Sequence, residues 1–153
     1  MAELLLLADF EYLNVSNSVG RGGVNHHDDV LVVQALLKLI PKKYLGGIGA
    51  EYRPFPTGTL DKETLYFIKK FQSLAEKVSN SKVVHEGRIN KATERFAAGT
   101  KRIRTIIALN DALIEGMLLQ GFEAKSSKYY IVKILPSLRE QFSKFRGSHL
   151  IDL

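Results

Sequence analysis

The sequence predicts a mainly α protein, and three observations carry that prediction. Apolar residues recur at helical spacing in three separated stretches, and the segments between those stretches are crowded with Gly, Pro, Ser and Asn. The composition is that of a globular chain: 45% of the 153 residues are hydrophobic and 25% charged, enough apolar material for a core. The chain contains no cysteine, which excludes disulfides, thiolate metal sites and cysteine nucleophiles.

Residues 1–17 form an N-terminal segment whose apolar run, Leu4 to Leu7, is interrupted by Asp9 and Glu11. With Glu3 as the first charge, it does not read as a secretory signal. No stretch approaches the roughly 20 apolar residues that span a bilayer. Ser16 to Asn25 reads as loop. Asp28 or Asp29 then offers an N-cap for a helix to about Ile40, with Val30, Val33, Leu37 and Ile40 on one face. Pro41 ends it, and residues 42–59 read as a long loop holding Tyr44, Tyr52 and Phe55. A second helix starts at Asp61 and buries Thr64, Ile68, Phe71 and Ala75. A third is expected from near Asn90, broken at Gly99-Thr100 and resumed through Ile103, Ile106, Ile107, Leu113 and Met117 to a stop at Gly121. Tyr129 to Leu135 suits strand or helix, and Pro136 can open a last helix to about Phe145.

Two segments echo each other. Gly58-Thr59-Leu60-Asp61-Lys62-Glu63-Thr64 and Gly87-Arg88-Ile89-Asn90-Lys91-Ala92-Thr93 share a Gly-x-aliphatic-Asp/Asn-Lys-x-Thr pattern. Each reads as a tight turn, a short extended piece and a capped helix start, with Asp61 or Asn90 accepting from orphan backbone N–H groups.

With their surroundings, these residues resemble the peptidoglycan-binding-domain-like family. The elements that carry the resemblance are Asp29-Val30, Val33-Gln34, Leu36-Leu37, Gly58 to Thr64, Phe71-Gln72 and Gly87 to Thr93, in that order, behind a leader of Ser18-Val19-Gly20 and Gly22-Gly23. The chain departs from the family pattern at Thr57, Glu86 and Asp61, and in the length of the loop from Pro41 to Pro56. The resemblance implies a three-helix module over 18–97 with long loops and short extended pieces, and leaves 98–153 as a helical extension packed on it.

It also implies the ligand. A module of this kind would hold muropeptide beside the long loop and the two turn-helix starts, which nominates Tyr52, Arg53, Phe55, Thr57, Asp61, Gln72, Arg88 and Asn90. Aromatic faces and an Arg fork suit sugar rings and peptide carboxylates, although the same aromatics could anchor the loop. The amides of Gln34 and Gln72 either face ligand or bond main chain beside the core, the second being favoured by the apolar residues around them. The net charge of +6 is concentrated in residues 60–104, which hold eleven basic and five acidic side chains. There Arg88, Lys91, Arg95, Lys101, Arg102 and Arg104 form either a solvated face or a patch for an anionic polymer. Nucleic acid is not the expected partner, because the patch lacks interleaved aromatics.

No metal site is expected, since the adjacent His26 and His27 point in different directions and His85 and His149 lie far off in sequence. No cofactor is expected either. The leading expectation is therefore non-catalytic binding of cell-wall peptidoglycan, reached by non-classical delivery to the periplasm or envelope. One alternative is an accessory or cargo protein of a secretion or phage-like system that docks a protein on the apolar arc of 103–118. A third is a small wall hydrolase, with Glu11, Glu51 or Glu86 as candidate acids.

Overall fold

In a computed structural model, which describes residues 1–7 and 9–151, the chain is rich in helix with small strands. Strands β1 (Glu3–Leu7) and β2 (Phe10–Asn14) open it, followed by a two-residue strand β3 (Val19–Gly20) and helix α1 (His27–Leu39). Two short 3-10 turns, Lys42–Leu45 and Ala50–Tyr52, interrupt the long loop before helix α2 (Lys62–Ser79). A second two-residue strand, β4 (Arg88–Ile89), precedes α3 (Thr105–Leu119), α4 (Ser127–Ile134) and a 3-10 turn at Pro136–Leu138. The short α5 (Arg139–Phe142) and strand β5 (Arg146–Ile151) complete the order.

Helix α1 is the centre of the packing. Every residue from Asp29 to Leu37 is buried, so this helix is covered on all sides rather than along a stripe. It meets α2, α3, α4 and β2. One continuous apolar cluster runs from Leu4 through Leu36, Phe71 and Leu113 to Phe142 and Phe145, across the expected boundary at 97/98.

The expected mainly helical character holds, and three details differ. First, the N-terminal segment of 1–17 carries two strands. β1 lies between β2 (antiparallel, Leu5 opposite Tyr12) and β5 (parallel, Leu5 opposite His149), so the expected helical extension ends in a strand. Leu4, Leu5 and Leu7 of this central strand are buried, while Leu6 is exposed. Second, neither Asp28 nor Asp29 is the cap of α1. His26 stands at that position without a capping side chain, while the wholly buried Asp29 accepts from the backbone N–H groups of Ser16 and Asn17 (2.8 and 3.0 Å). Third, no helix begins near Asn90. The backbone of 95–104 folds back on itself (Ala97 N–H to Arg102 O, Arg104 N–H to Arg95 O, both 2.9 Å) and pairs with 82–84. Gly99, at φ 71°, makes the turn of that hairpin, and the helix starts only at Thr105. Asn90 therefore caps nothing and donates instead to Glu86.

Asp61 does cap α2, accepting from Thr64 N–H at 2.7 Å. The residues left open between strand and helix are helical from Ser127, because Ser126 caps them by accepting from Tyr129 N–H.

On α3, Asp111 and Glu115 stand one turn apart, and each takes a buried tyrosine hydroxyl. Tyr12 donates to Asp111 (2.5 Å), which also accepts from Arg95 (2.7 Å). Tyr44 donates to Glu115 (2.6 Å), which is paired with Lys43. Burial, reinforced by these carboxylates, raises both hydroxyl pKa values above the ordinary 10.0. A raised folded-state value means that the stabilisation is present below the unfolded pKa and is lost as pH rises past it. The unfolding free energy should thus fall above about pH 10, and pH-dependent urea titrations should show a shallower fall in Tyr12→Phe.

Candidate anion-binding groove

The two echoed turns are built alike, each around a glutamine on the preceding helix. Gln34 on α1 accepts from the N–H groups of Thr57 and Gly58 (both 2.8 Å) and donates to Thr59 O and Thr64 Oγ1 (both 3.0 Å). Gln72 on α2 accepts from Gly87 N–H (2.9 Å) and donates to Thr105 Oγ1 (3.0 Å) and Arg88 O (3.3 Å). The partner threonine in the second copy is therefore Thr105 and not Thr93, with the hairpin of 95–104 intervening. The leader joins the same structure. β3 pairs antiparallel with β4, and Arg21 N–H donates to Gly87 O. Gly20 has φ 119°, and a Cβ there would stand 2.6 Å from that carbonyl, so the close approach requires glycine.

Beside the second turn the hairpin leaves a groove. Its inner part, about 50 Å³, is lined by Val84, Glu86, Arg88, Asn90, Ala97, Arg104 and Thr105. An outer part of about 540 Å³ shares Val84, Glu86 and Ala97 and adds Glu76, His85, Thr100 and Arg102. β4 places Arg88, the hairpin places Arg102, and Arg104 and Thr105 stand at the start of α3.

The electrostatics favour an anion. Arg88 has only a long contact with Glu86 (3.8 Å), and Glu86 also accepts from Asn90 (3.2 Å). His85 lies 3.6 Å from Glu76. The Nε–H groups of Arg88 and Arg104 are both buried and have no acceptor among the described residues. Buried donors of a charged group are almost always satisfied, so this unmatched pair distinguishes Arg88 and Arg104 from the ion-paired Lys91 and Arg95. The start of α3 adds the positive end of a helix dipole and has no capping side chain.

The eight nominated residues separate on their placement. Arg88 and Asn90 line the groove. Tyr52 and Phe55 are exposed on the long loop, Tyr52 at 76%, and do not line this groove. Thr57 is exposed, but its N–H is held by Gln34. Asp61 is engaged by Thr64 and Gln72 by its turn, both within the fold. Arg53 is turned inward and only 4% exposed. Its guanidinium donates to Leu37, Lys38 and Ile40 O at the end of α1 and twice to Ile48 O, so no fork remains for a ligand.

The basic cluster divides as well. Lys91 pairs with Glu3 (3.0 Å) and Arg95 with Asp111, whereas Arg88, Arg102 and Arg104 meet at the groove. His85, unplaceable from sequence order, belongs there too. Only the density of Lys and Arg pointed to Arg104, and nothing pointed to Thr105.

Most of the apolar arc of 103–118 faces the interior. Ile106, Ile107, Leu113 and Met117 are core, and of the arc only Leu118 is substantially exposed. His26 contacts Asn17 and His27 packs beside Gly58; among the described residues no three His, Cys, Asp or Glu could share a metal ion. Among the described residues no helix is long and apolar enough to cross a membrane.

No protein-family model, curated protein or solved structure matches the chain.

Proposed function

We propose that this chain is a non-catalytic binder of bacterial peptidoglycan and that it holds a carboxylate of the peptide stem in the groove beside the second glycine turn. The observation that carries the reading is the meeting of Arg88 and Arg104 at one groove, each with a buried Nε–H that has no acceptor among the described residues. Murein peptides bring free carboxylates, which a guanidinium receives with two donors at once. The same peptides bring N–H groups, for which Glu76 and Glu86 at the rim are acceptors. Tyr52 and Phe55 are exposed on the long loop, and an exposed aromatic face suits a glycan ring.

Co-sedimentation with purified sacculi tests this. The wild type should pellet in high salt as well as low, and Arg88→Glu with Arg104→Glu should weaken pelleting by about tenfold or more. A wild type that stays in the supernatant ends the proposal. Turbidity followed in the same tubes should stay constant; clearing would reveal a hydrolase instead and direct attention to Glu11, Glu51 and Glu86.

A further inference from the structure

A second groove lies on the far side of the chain's helical end, independent of the two glycine turns. It measures about 730 Å³ and runs between the start of β2, helix α4 and the short α5. Lys128 and Lys133 come from α4 and Arg139 from α5, and none of the three has an ion-pair or hydrogen-bond partner among the described residues. Its floor is apolar, made by Val132 and by the ring of Tyr129, which is 62% exposed. Glu11 is the one carboxylate in the lining. Its Oε1 accepts from Ser126 (2.7 Å), and its Oε2 has no donor among the described residues.

We infer that this groove binds an acidic peptide segment of a partner protein, one that carries an aliphatic side chain between its carboxylates. Three unpaired cations around one trough are electrostatically complementary to a run of Asp or Glu. An anion alone would leave the Tyr129 and Val132 surface unused, whereas an aliphatic side chain would cover it. Glu11 decides between a peptide and other polyanions. The second Glu11 oxygen accepts from the main-chain N–H groups that a peptide brings and that phosphate lacks, which offsets for a peptide alone the repulsion every polyanion meets there.

Fluorescence anisotropy on the full chain, at near-physiological salt, tests the inference with two dye-labelled peptides of equal length. One is built of Glu, Leu and Gly, and the other has every Glu replaced by Gln. The acidic peptide should bind, and the Gln peptide should bind about tenfold more weakly or worse. Lys133→Glu combined with Arg139→Glu, and separately Tyr129→Ala, should each weaken the acidic peptide about tenfold or more. Arg88→Glu with Arg104→Glu should leave it unchanged. All three altered positions in this groove are exposed, so circular dichroism should stay that of the wild type. The inference is overturned by no binding of the acidic peptide, by indifference to Tyr129→Ala, or by an equal loss in the Arg88/Arg104 variant. The last two would mark diffuse attraction to a basic chain. Displacement by inorganic phosphate at matched charge would also overturn it, since an anion alone would then suffice.

Discussion

Arg53→Ala should destabilise the protein by about 3–5 kcal/mol, the largest single effect expected from a polar side chain here. The guanidinium sits at the end of α1, where the last carbonyls of a helix have no partner of their own. It gathers those of Leu37, Lys38 and Ile40 and ties them to Ile48 O in the following loop. Burial lowers its pKa, with Glu51 opposing that shift. Truncation removes five hydrogen bonds at once and leaves buried acceptors unsatisfied. Arg53→Lys should recover little, because an ammonium cannot span carbonyls on both sides as the planar fork does. Urea denaturation of the three proteins measures this. A loss below about 1 kcal/mol in Arg53→Ala would mean that the end of α1 is held by something else.

The two clamping glutamines make the second large prediction, and it is a comparison. Gln34→Ala removes four bonds of 3.0 Å or less and exposes the turn at Thr57-Gly58 to rearrangement. Gln72→Ala removes two such bonds and a longer one. With about 1 kcal/mol for each buried bond, Gln34→Ala should cost about 3–4 kcal/mol and Gln72→Ala about 2–3. Only the second change should also disturb the groove, since Gln72 holds Gly87 and Thr105 on either side of it. Gln72→Ala should therefore weaken sacculus binding, whereas Gln34→Ala should lower stability with binding intact at low temperature. The reverse pattern would place the ligand at the first turn.

The sequence exposed the parts of this molecule that depend on local periodicity and caps. Asp61 with Thr64 marks the start of α2, Pro41 ends α1, and the equivalence of Gln34 and Gln72 follows from the echo around Gly58 and Gly87. What it concealed depends on contacts distant along the chain. Leu4 to Leu7 is too short and uniform to show a period, and it becomes the central strand between its neighbour β2 and β5, almost the whole chain away. Asn90 and Lys91 have the residues of a helix start, yet the hairpin of 95–104 uses the backbone groups that a helix would need. Arg53 shows the limit for sites. An arginine in a glycine- and proline-rich loop reads as a ligand fork, and only the path of that loop over the end of α1 turns it inward. The same holds for the basic cluster, where sequence spacing could not separate Arg88 and Arg104 from the ion-paired Lys91 and Arg95.

The most direct test of the anion groove is NMR observation of the arginine Nε–H resonances during titration with a soluble disaccharide-peptide fragment of murein. The resonances assigned to Arg88 and Arg104 should shift together and saturate, while that of the buried Arg53 stays in place. Saturable binding that moves other signals and leaves Arg88 and Arg104 untouched would contradict this expectation.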